Sequence, residues 1–241
     1  MAARGTFGSD GFHMYRVVVS TGQAAGAGVQ SLCLTLMTLL TGLLLSQPLM
    51  SELFTTRFQA DLGNTKRWAA FKFIADELTA LGRPVGIVET GCLRLAGNWA
   101  GDGQSTAVWD WLISNLGGYG HSYDISPESV AAARSAVRLM QVHQQDSVEA
   151  LGAFPDAGTI DLLYLDSFDW SADSSASAEH HLKELQAIYD RLRPGCLIAI
   201  DDCFSDLQGK HALAKDWLAG IGVQPVCKGY ITVWRKPEAL E

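Results

Sequence analysis

Residues 84–106, PVGIVETGCLRLAGNWAGDGQST, contain the pattern that decides the fold. A short apolar run ends at Glu89, and a glycine-rich turn then leads into a segment with helical spacing. Asp124 stands 21 positions after Gly103, at the end of a second short run, residues 120–124. Such a turn lets a ligand approach the backbone, the helix start offers free N–H groups, and a carboxylate accepts hydrogen bonds from ribose hydroxyls. The pattern therefore predicts a pocket for a nucleoside.

The composition favours one globular α/β domain in a reducing compartment. The chain has 241 residues, 48% of them apolar and 18% charged, with a formal charge of −8. No cluster of lysines and arginines occurs, so we expect no nucleic-acid partner. The 5 cysteines are scattered and form no C-x-x-C pair. This usage disfavours a disulfide framework and predicts a cytoplasmic protein.

The first part of the chain differs from the rest. Residues 17–51 contain no charged residue, and residues 32–45, LCLTLMTLLTGLLL, are the most apolar segment. This segment is short for a membrane-spanning helix, and no small-x-small cleavage site follows it. We divide the chain into an apolar leader at residues 1–49 and a domain at residues 50–241. The leader is a non-native start, a signal or anchor, or an integral part, and only an anchor would imply a membrane partner.

From residue 50 onward, predicted strands alternate with predicted helices. The strands are expected at residues 85–89, 120–124, 140–144, 160–166 and 196–201, and the helices at 64–81, 105–116, 126–139, 178–192 and 209–219. The tail, residues 223–237, reads as a hairpin around Lys228-Gly229. This order predicts an α/β fold: a mostly parallel sheet with a C-terminal antiparallel hairpin and helices on both faces.

Acidic residues follow nearly every predicted parallel strand. In an open α/β sheet, ligands bind beyond the carboxyl ends of the strands, so these side chains should meet at one edge. The residues are Glu89, Asp124, Asp146, Asp166, Asp201 and Asp202.

At residues 64–236 the chain resembles the class I S-adenosylmethionine (SAM) dependent methyltransferases, closest to the small-molecule O-methyltransferase branch. The residues Glu89-Thr90-Gly91-Cys92, followed by residues 103–106 (GQST), match the first motif of that branch. Residues 192–202, LRPGCLIAIDD, look like its L-x-P-G-G-x-I…D-D/N strand. The resemblance implies a Rossmann-like, seven-stranded sheet and methyl transfer from SAM to an oxygen of a small-molecule acceptor. The oligomeric state stays open, a homo-oligomer included.

The resemblance also assigns roles to individual residues. It implies that Asp124 binds the ribose, that Asp146 and Ser147 contact the adenine, and that Asp166 takes part in catalysis. The full predicted set for the cofactor is Glu89, Thr90, Gly91, Gly103, Ser105, Thr106, Asp124, Asp146, Ser147 and Asp166. In metal-dependent relatives, residues of the same types hold a divalent cation, so Asp166, Asp201 and Asp202 are the predicted ligands for Mg²⁺ or another divalent cation.

Two departures from the family pattern affect these roles. An extra stretch, residues 93–102, interrupts the first motif and is either a flap over the cofactor or a plain surface loop. The lysine that catechol-type relatives place soon after the aspartate matching Asp166 is missing here. We therefore take His180 and His181 as candidates for the catalytic base, because an imidazole titrates near neutrality.

Three alternatives remain beside the methyltransferase. A nicotinamide-dependent oxidoreductase would need a tight G-x-G-x-x-G turn, which the extra stretch interrupts, and a second substrate domain. A methyltransferase-like binding protein with a decayed cofactor site is the non-enzymatic alternative. Hydroxylation or other chemistry on the same scaffold is the third.

Overall fold

A computed structural model describes residues 47–101, 104–171, 175–206 and 208–238, with the side chains of residues 47–49 left out. Nearly all of the predicted leader lies outside these ranges, and the boundary at residue 49 stays a prediction. Within them, no helix is both long and apolar enough to cross a membrane.

The helices are α1 (Gln47–Leu62), α2 (Trp68–Ala80), α3 (Ser105–Leu116), α4 (Pro127–Ala136), α5 (Ser147–Ala153), α6 (Ser175–Ile188) and α7 (Ala212–Gly220). The strands are β1 (Val85–Thr90), β2 (Gly118–Asp124), β3 (Met140–Gln144), β4 (Leu162–Leu165), β5 (Leu197–Ile200), β6 (Cys203–Ser205), β7 (Gln208–Gly209), β8 (Pro225–Cys227) and β9 (Thr232–Arg235).

The main sheet of the described chain has seven strands in the order β3-β2-β1-β4-β5-β9-β8. Strands β1 to β5 pair in parallel, while β9 pairs antiparallel with both β5 and β8. All six residues of β1 are buried, as expected for a central strand covered on both faces. The parallel strands place their carboxyl ends at one edge of the sheet, which confirms the predicted architecture.

Helices cover both faces of the sheet. Successive side chains of a strand point to opposite faces, and β1 shows this directly. Ile87 packs in a core with Phe54, Phe58 and Trp109, and Val88 packs in a second core that contains Leu185. The two cores hold the strands between helices and fix the positions at which those strands end.

Two segments differ from the sequence prediction in ways that matter for the site. Helix α2 begins at Trp68 rather than at residue 64 or 65, and Arg67 precedes it. The predicted helix at residues 209–219 begins only at Ala212, because β6 and β7 form a separate two-stranded ribbon before it. Lys210 follows this ribbon directly. Both shifts bring a basic side chain to the carboxyl edge of the sheet.

Candidate functional site

A cavity of about 200 Å³ lies where β1, β2 and β4 end. Four of the residues predicted to bind the cofactor line this strand-end cavity: Gly91, Ser105, Asp124 and Asp166. They come from different segments of the chain, and the parallel sheet places them together. Their role in binding a cofactor remains a prediction, and the geometry is what the topology of a nucleoside pocket requires.

Gly91 allows the turn after β1 to pass close to the end of β4. Its φ is +74°, in the left-handed region that favours glycine. A Cβ atom at this position would lie 2.4 Å from the carbonyl oxygen of Asp166. Any other residue would push the two strand ends apart, so the glycine keeps the floor of the strand-end cavity narrow.

Asp124 is half-buried at the end of β2, and its carboxylate holds the turn that follows β1. Its Oδ2 accepts a hydrogen bond from the backbone N–H of Cys92 at 3.1 Å, and its Oδ1 accepts one from the N–H of Ser126 at 2.8 Å. Ser126 in turn caps α4 by accepting from the N–H of Ser129. The carboxylate therefore has a fixed orientation beside the cavity before any ligand arrives.

The extra stretch after β1 is anchored to the body of the protein. The side chain of Gln104 accepts from the N–H of Gly97 at 2.9 Å and donates to the carbonyl of Leu95 at 2.8 Å. Trp99 packs against Phe58 of α1, with ring centroids 5.8 Å apart. Trp99 is therefore committed to a packing contact. The predicted cofactor residue Gly103 lies outside the described residues.

A smaller cavity of about 60 Å³ adjoins the first and shares Asp124 with it. Its lining includes the predicted adenine residues Asp146 and Ser147, together with Tyr123, Phe168 and His180. Asp146 caps α5 by accepting from the N–H of Glu149 at 2.9 Å, so its carboxylate has a structural partner. Aromatic rings beside polar groups suit a flat heterocycle, and this is where the sequence places the adenine.

Three predicted cofactor residues lie behind the wall of the cavity. Glu89 is fully buried, and its Oε2 accepts hydrogen bonds from Thr106 at 2.7 Å and Ser122 at 2.6 Å. Thr106 also accepts from the N–H of Leu93 at 2.9 Å, which ties the turn to the carboxylate. Thr90 is fully buried as well and lines neither cavity. These three residues therefore lie beneath the turn that follows β1, and they stabilise that turn instead of lining the cavity.

Burial raises the pKa of Glu89 to about 7, even though the hydroxyl groups around it oppose the shift. Burial is the larger effect because no described cation lies beside the carboxylate to offset the loss of hydration. Its Oε1 has no hydrogen-bond partner within the described residues. Protonation of Glu89 near neutral pH follows from this environment.

Neither of the two candidate bases on α6 lines the strand-end cavity. His181 is fully buried and its Nδ1 lies 2.7 Å from the carbonyl oxygen of Ser177. Burial lowers the pKa of His181 to about 4, so the ring is neutral. His180 lines the small cavity, and its Nε2 lies 3.0 Å from Ser147 Oγ and 3.3 Å from Glu184 Oε1. The ring of His181 reaches neither cavity, and His180 stands on the predicted adenine side, so the identity of the catalytic base stays a prediction.

The predicted metal ligands are paired with basic side chains, and two of them meet at the ammonium of Lys210. Lys210, whose side chain is 1% exposed, forms ion pairs with Asp166 and, at 3.1 Å, with Asp202. Arg67 binds Asp201 at 2.7 Å through Nε. Tyr164 also donates to Asp201 at 2.7 Å. An ammonium and a guanidinium therefore stand where a divalent cation would, and they offset two of the three negative charges.

The ionisation of Lys210 follows from its neighbours. Burial alone would lower the pKa of Lys210, but the carboxylates of Asp166 and Asp202 outweigh burial and hold the pKa above its ordinary value. Lys210 is therefore an ammonium, and a like charge on a metal ion at the same carboxylates would be repelled. No group of three or more His, Cys, Asp or Glu side chains in the described ranges could hold a metal. With Lys210 and Arg67 as their partners, the three aspartates do not fit Mg²⁺.

Sequence reasoning missed Arg67 and Lys210. Lys210 was assigned to a helix, and Arg67 to the interior of another, so neither was expected at a strand end. Asp202 has a φ of +52°, which is uncommon for a residue other than glycine and turns the chain sharply after β5. The available signal was an excess of carboxylates over basic side chains near residues 166–202. Because buried charges are normally paired, such an excess indicates that basic partners come from elsewhere in the chain.

The sheet order and the strand-end cavity agree with the class that the sequence resembles, the class I SAM-dependent methyltransferases. A family model described as a methyltransferase domain matches residues 100–203, a range that includes β2 to β5 and the aspartates at their ends. The chain thus carries a methyltransferase domain, in agreement with the class that the sequence predicts. No curated protein matches the chain.

Several solved structures are similar to this chain at low identity. The N-methyltransferase NodS from Bradyrhizobium japonicum WM9 is 14% identical, with a TM-score of 0.46 over 73% of this chain and 98% of that one. The O-methyltransferase NovP is 13% identical, with a TM-score of 0.49 over 72% and 80%. The sugar N-methyltransferase KedS8 from Streptoalloteichus sp. ATCC 53650 is 13% identical, with a TM-score of 0.47 over 94% and 100%. Likenesses at this level add nothing to the choice of acceptor.

Proposed function

We propose that the protein transfers the methyl group of SAM to an oxygen of a small-molecule acceptor, without a divalent cation. The observation that carries the proposal is the strand-end cavity, in which Gly91 and Asp124 stand at adjacent strand ends beside the first turn of α3. The choice of oxygen rests on the Glu89-Thr90-Gly91-Cys92 motif, which resembles the O-methyltransferase branch.

The chain's own residues would bind and orient the cofactor. Asp124 would accept from the ribose hydroxyls, and Gly91 would let the backbone approach the sugar. Ser147 and His180 would face the adenine in the small cavity, and Glu89 would hold the turn in place through Thr106. Methyl transfer is an in-line displacement, so fixing the two reactants and excluding water would supply most of the rate enhancement, up to roughly 7–11 kcal/mol.

Asp166 is the predicted catalytic residue that lines the strand-end cavity. Burial raises the pKa of Asp166 above its ordinary value, with Asp201 and Asp202 adding to the effect and Lys210 opposing it. A carboxylate with a raised pKa is suited to accept the proton of an acceptor hydroxyl. Lys210 would hold Asp166 in place, and this arrangement needs no metal ion to neutralise the cluster.

Calorimetric titration with S-adenosylhomocysteine (SAH) tests the cofactor site. We expect Asp124→Asn to weaken SAH binding about tenfold or more, because the amide cannot accept from both ribose hydroxyls. Asp61→Asn is the matched control, since Asp61 is exposed on α1 and pairs with Arg57 at 3.3 Å. Equal affinities in the wild type and Asp124→Asn would contradict the assignment.

Treatment with a chelator tests whether the reaction needs a metal ion. We expect full activity after exhaustive treatment, and a loss of activity that Mg²⁺ restores would contradict metal independence.

A further inference from the structure

A second and larger cavity, of about 810 Å³, lies between α7 and the β8–β9 hairpin. Its lining contains three lysines, Lys66, Lys215 and Lys228, and a single acidic residue, Asp206. We call it the lysine cavity. A cleft with an excess of positive charge is unexpected in a chain with a formal charge of −8, because the acidic residues outnumber the basic ones elsewhere. Such a cleft raises the local concentration of anions.

Two of the three lysines have no carboxylate partner among the described residues. Lys215 is engaged, since it donates to the carbonyl of Asp206 and lies 3.6 Å from Asp216. Lys66 and Lys228 are exposed and form no ion pair in the described part of the chain. The ammonium of Lys66 lies 5.2 Å from the ring centroid of Tyr230, so the aromatic ring holds it at the cavity. Both lysines are free to bind an anionic ligand.

The same cavity offers aromatic surface. Phe204 lines it and is 47% exposed. Phe204 lies edge-on to Tyr230, with ring centroids 5.6 Å apart, and Tyr230 lines the cavity as well. An exposed phenylalanine against a half-buried tyrosine, beside two lysines without an ion pair in the described ranges, fits a ligand that carries both a ring and a negative charge.

A chain of direct contacts connects this cavity with the strand-end cavity. Tyr230 donates a hydrogen bond to Asp202, Asp202 pairs with Lys210 at 3.1 Å, and Lys210 pairs with Asp166. Tyr230 lines the lysine cavity, and Asp166 lines the strand-end cavity. The same polar cluster therefore borders both cavities.

From these contacts we infer that the lysine cavity binds the methyl acceptor, and that this acceptor carries an aromatic ring and an anionic group, a carboxylate or a phosphate. The inference rests on the proposed function for the transfer itself. The anionic group binds Lys66 and Lys228, and the ring lies against Phe204 and Tyr230. The nucleophilic oxygen then points towards Asp166.

Calorimetric titration of the full chain saturated with SAH tests the inference. The probes are benzoate, phenyl phosphate and benzyl alcohol, which share a ring and differ in charge. We expect at least one of the two anions to bind about tenfold more tightly than the alcohol, and the tighter anion identifies the acidic group. Affinity for benzyl alcohol equal to or higher than that for both anions would overturn the inference.

Variants test whether the preference for anions arises in the lysine cavity. Lys66→Gln/Lys228→Gln should remove most of the preference for the anion, and Lys183→Gln is the matched control, an exposed lysine on α6 that does not line the cavity. All three lysines are exposed, so the variants should unfold at the wild-type temperature. An anion preference that survives in the double variant, or that is lost equally in Lys183→Gln, would place the site elsewhere.

A separate SAH titration distinguishes the two proposals. A chain that binds SAH but prefers no anion contradicts the acceptor inference and leaves the proposed function intact. A chain that binds the anions but not SAH contradicts the proposed function, and with it the assignment of the lysine cavity to an acceptor.

Discussion

The buried carboxylates at the two sides of the site are stabilised in different ways. Glu89, at the end of β1, accepts hydrogen bonds from the hydroxyls of Thr106 and Ser122. Asp166 and Asp202, at the ends of β4 and β5, are paired with the ammonium of Lys210. Hydroxyl groups leave the buried charge uncompensated, so the pKa of Glu89 rises to about 7. The comparison shows that one edge of a sheet can hold a carboxyl group supported by hydroxyls alone beside carboxylates that are paired with fixed cations.

The largest effect is expected from removing the cation. Lys210→Met leaves Asp166 without its ammonium partner and Asp202 with only Arg67 and Tyr230, and breaking a buried pair costs about 3–5 kcal/mol of unfolding free energy. Urea unfolding at pH 7 measures the loss. The double variant Lys210→Met/Asp202→Asn should recover part of it, because one unpaired charge is removed. A loss below about 1 kcal/mol would mean that the cluster is hydrated and that Lys210 does not neutralise it.

The hydroxyl-stabilised carboxylate should respond to pH. The pKa of Glu89 is raised from 4.5 to about 7, so its contribution to stability is fully present below about pH 4.5 and is lost as the pH rises through 7. The shift corresponds to on the order of 3 kcal/mol. Glu89→Gln cannot ionise, and its free energy of unfolding should therefore fall less than that of the wild type between pH 6 and pH 8. Parallel pH profiles for the two proteins would show that Glu89 is ionised in both states.

A smaller effect is expected from one of the hydroxyls. Ser122→Ala removes a hydrogen bond of 2.6 Å to Glu89 Oε2, which should cost about 1–3 kcal/mol because the acceptor is buried. The bond to Ser122 lowers the pKa of Glu89, so its loss should move the fall in stability to higher pH. Ser135→Ala is the control, since the Ser135 hydroxyl is exposed on α4. Equal unfolding free energies for the two variants would argue against a special role for the buried hydroxyl.

The smallest effect is expected at the rim of the strand-end cavity. Arg94 and Asp169 form an ion pair at 2.8 Å with side chains that are 53% and 70% exposed. Exposed pairs contribute about 0–1 kcal/mol, so Arg94→Gln should change the unfolding free energy little. A double-mutant cycle with Asp169→Asn isolates this pair from other contacts of Arg94. A coupling energy as large as the loss in Lys210→Met would remove the distinction between buried and exposed pairs.

The glycine turn and the strand ends were predictable because their signals are local. The β1 run, Gly91 and Asp124 lie within a few residues of the turns that they form, and the parallel sheet brings Gly91 and Asp124 to one cavity. The cap of α4 at Ser126 with Pro127 following it is confirmed for the same reason. Element bounds were less accurate: β4 begins at Leu162 and α6 ends at Ile188, where packing and turns decide the limits.

The roles of the acidic residues after β4 and β5 were less predictable. The sequence shows three carboxylates and no adjacent base, so a cation was expected as their partner. The partners are Arg67 and Lys210, of which Arg67 is 134 positions away from Asp201. Neither lies on a strand, and neither has a spacing that a pattern could detect. His181 shows the same limit, since its helix position does not reveal that its ring is buried.

The sequence by itself determined the order of the strands in the main sheet, the glycine that allows the first turn, and the presence of carboxylates at the strand ends. These properties follow from apolar periodicity and backbone sterics, which act between neighbours in the chain. Only the tertiary structure decided what neutralises those carboxylates, where the lysine cavity lies, and which of them face a cavity. Electrostatic pairing depends on distances in space, and the fold sets those distances by bringing residue 67, residue 166 and residue 210 together at one edge of the sheet.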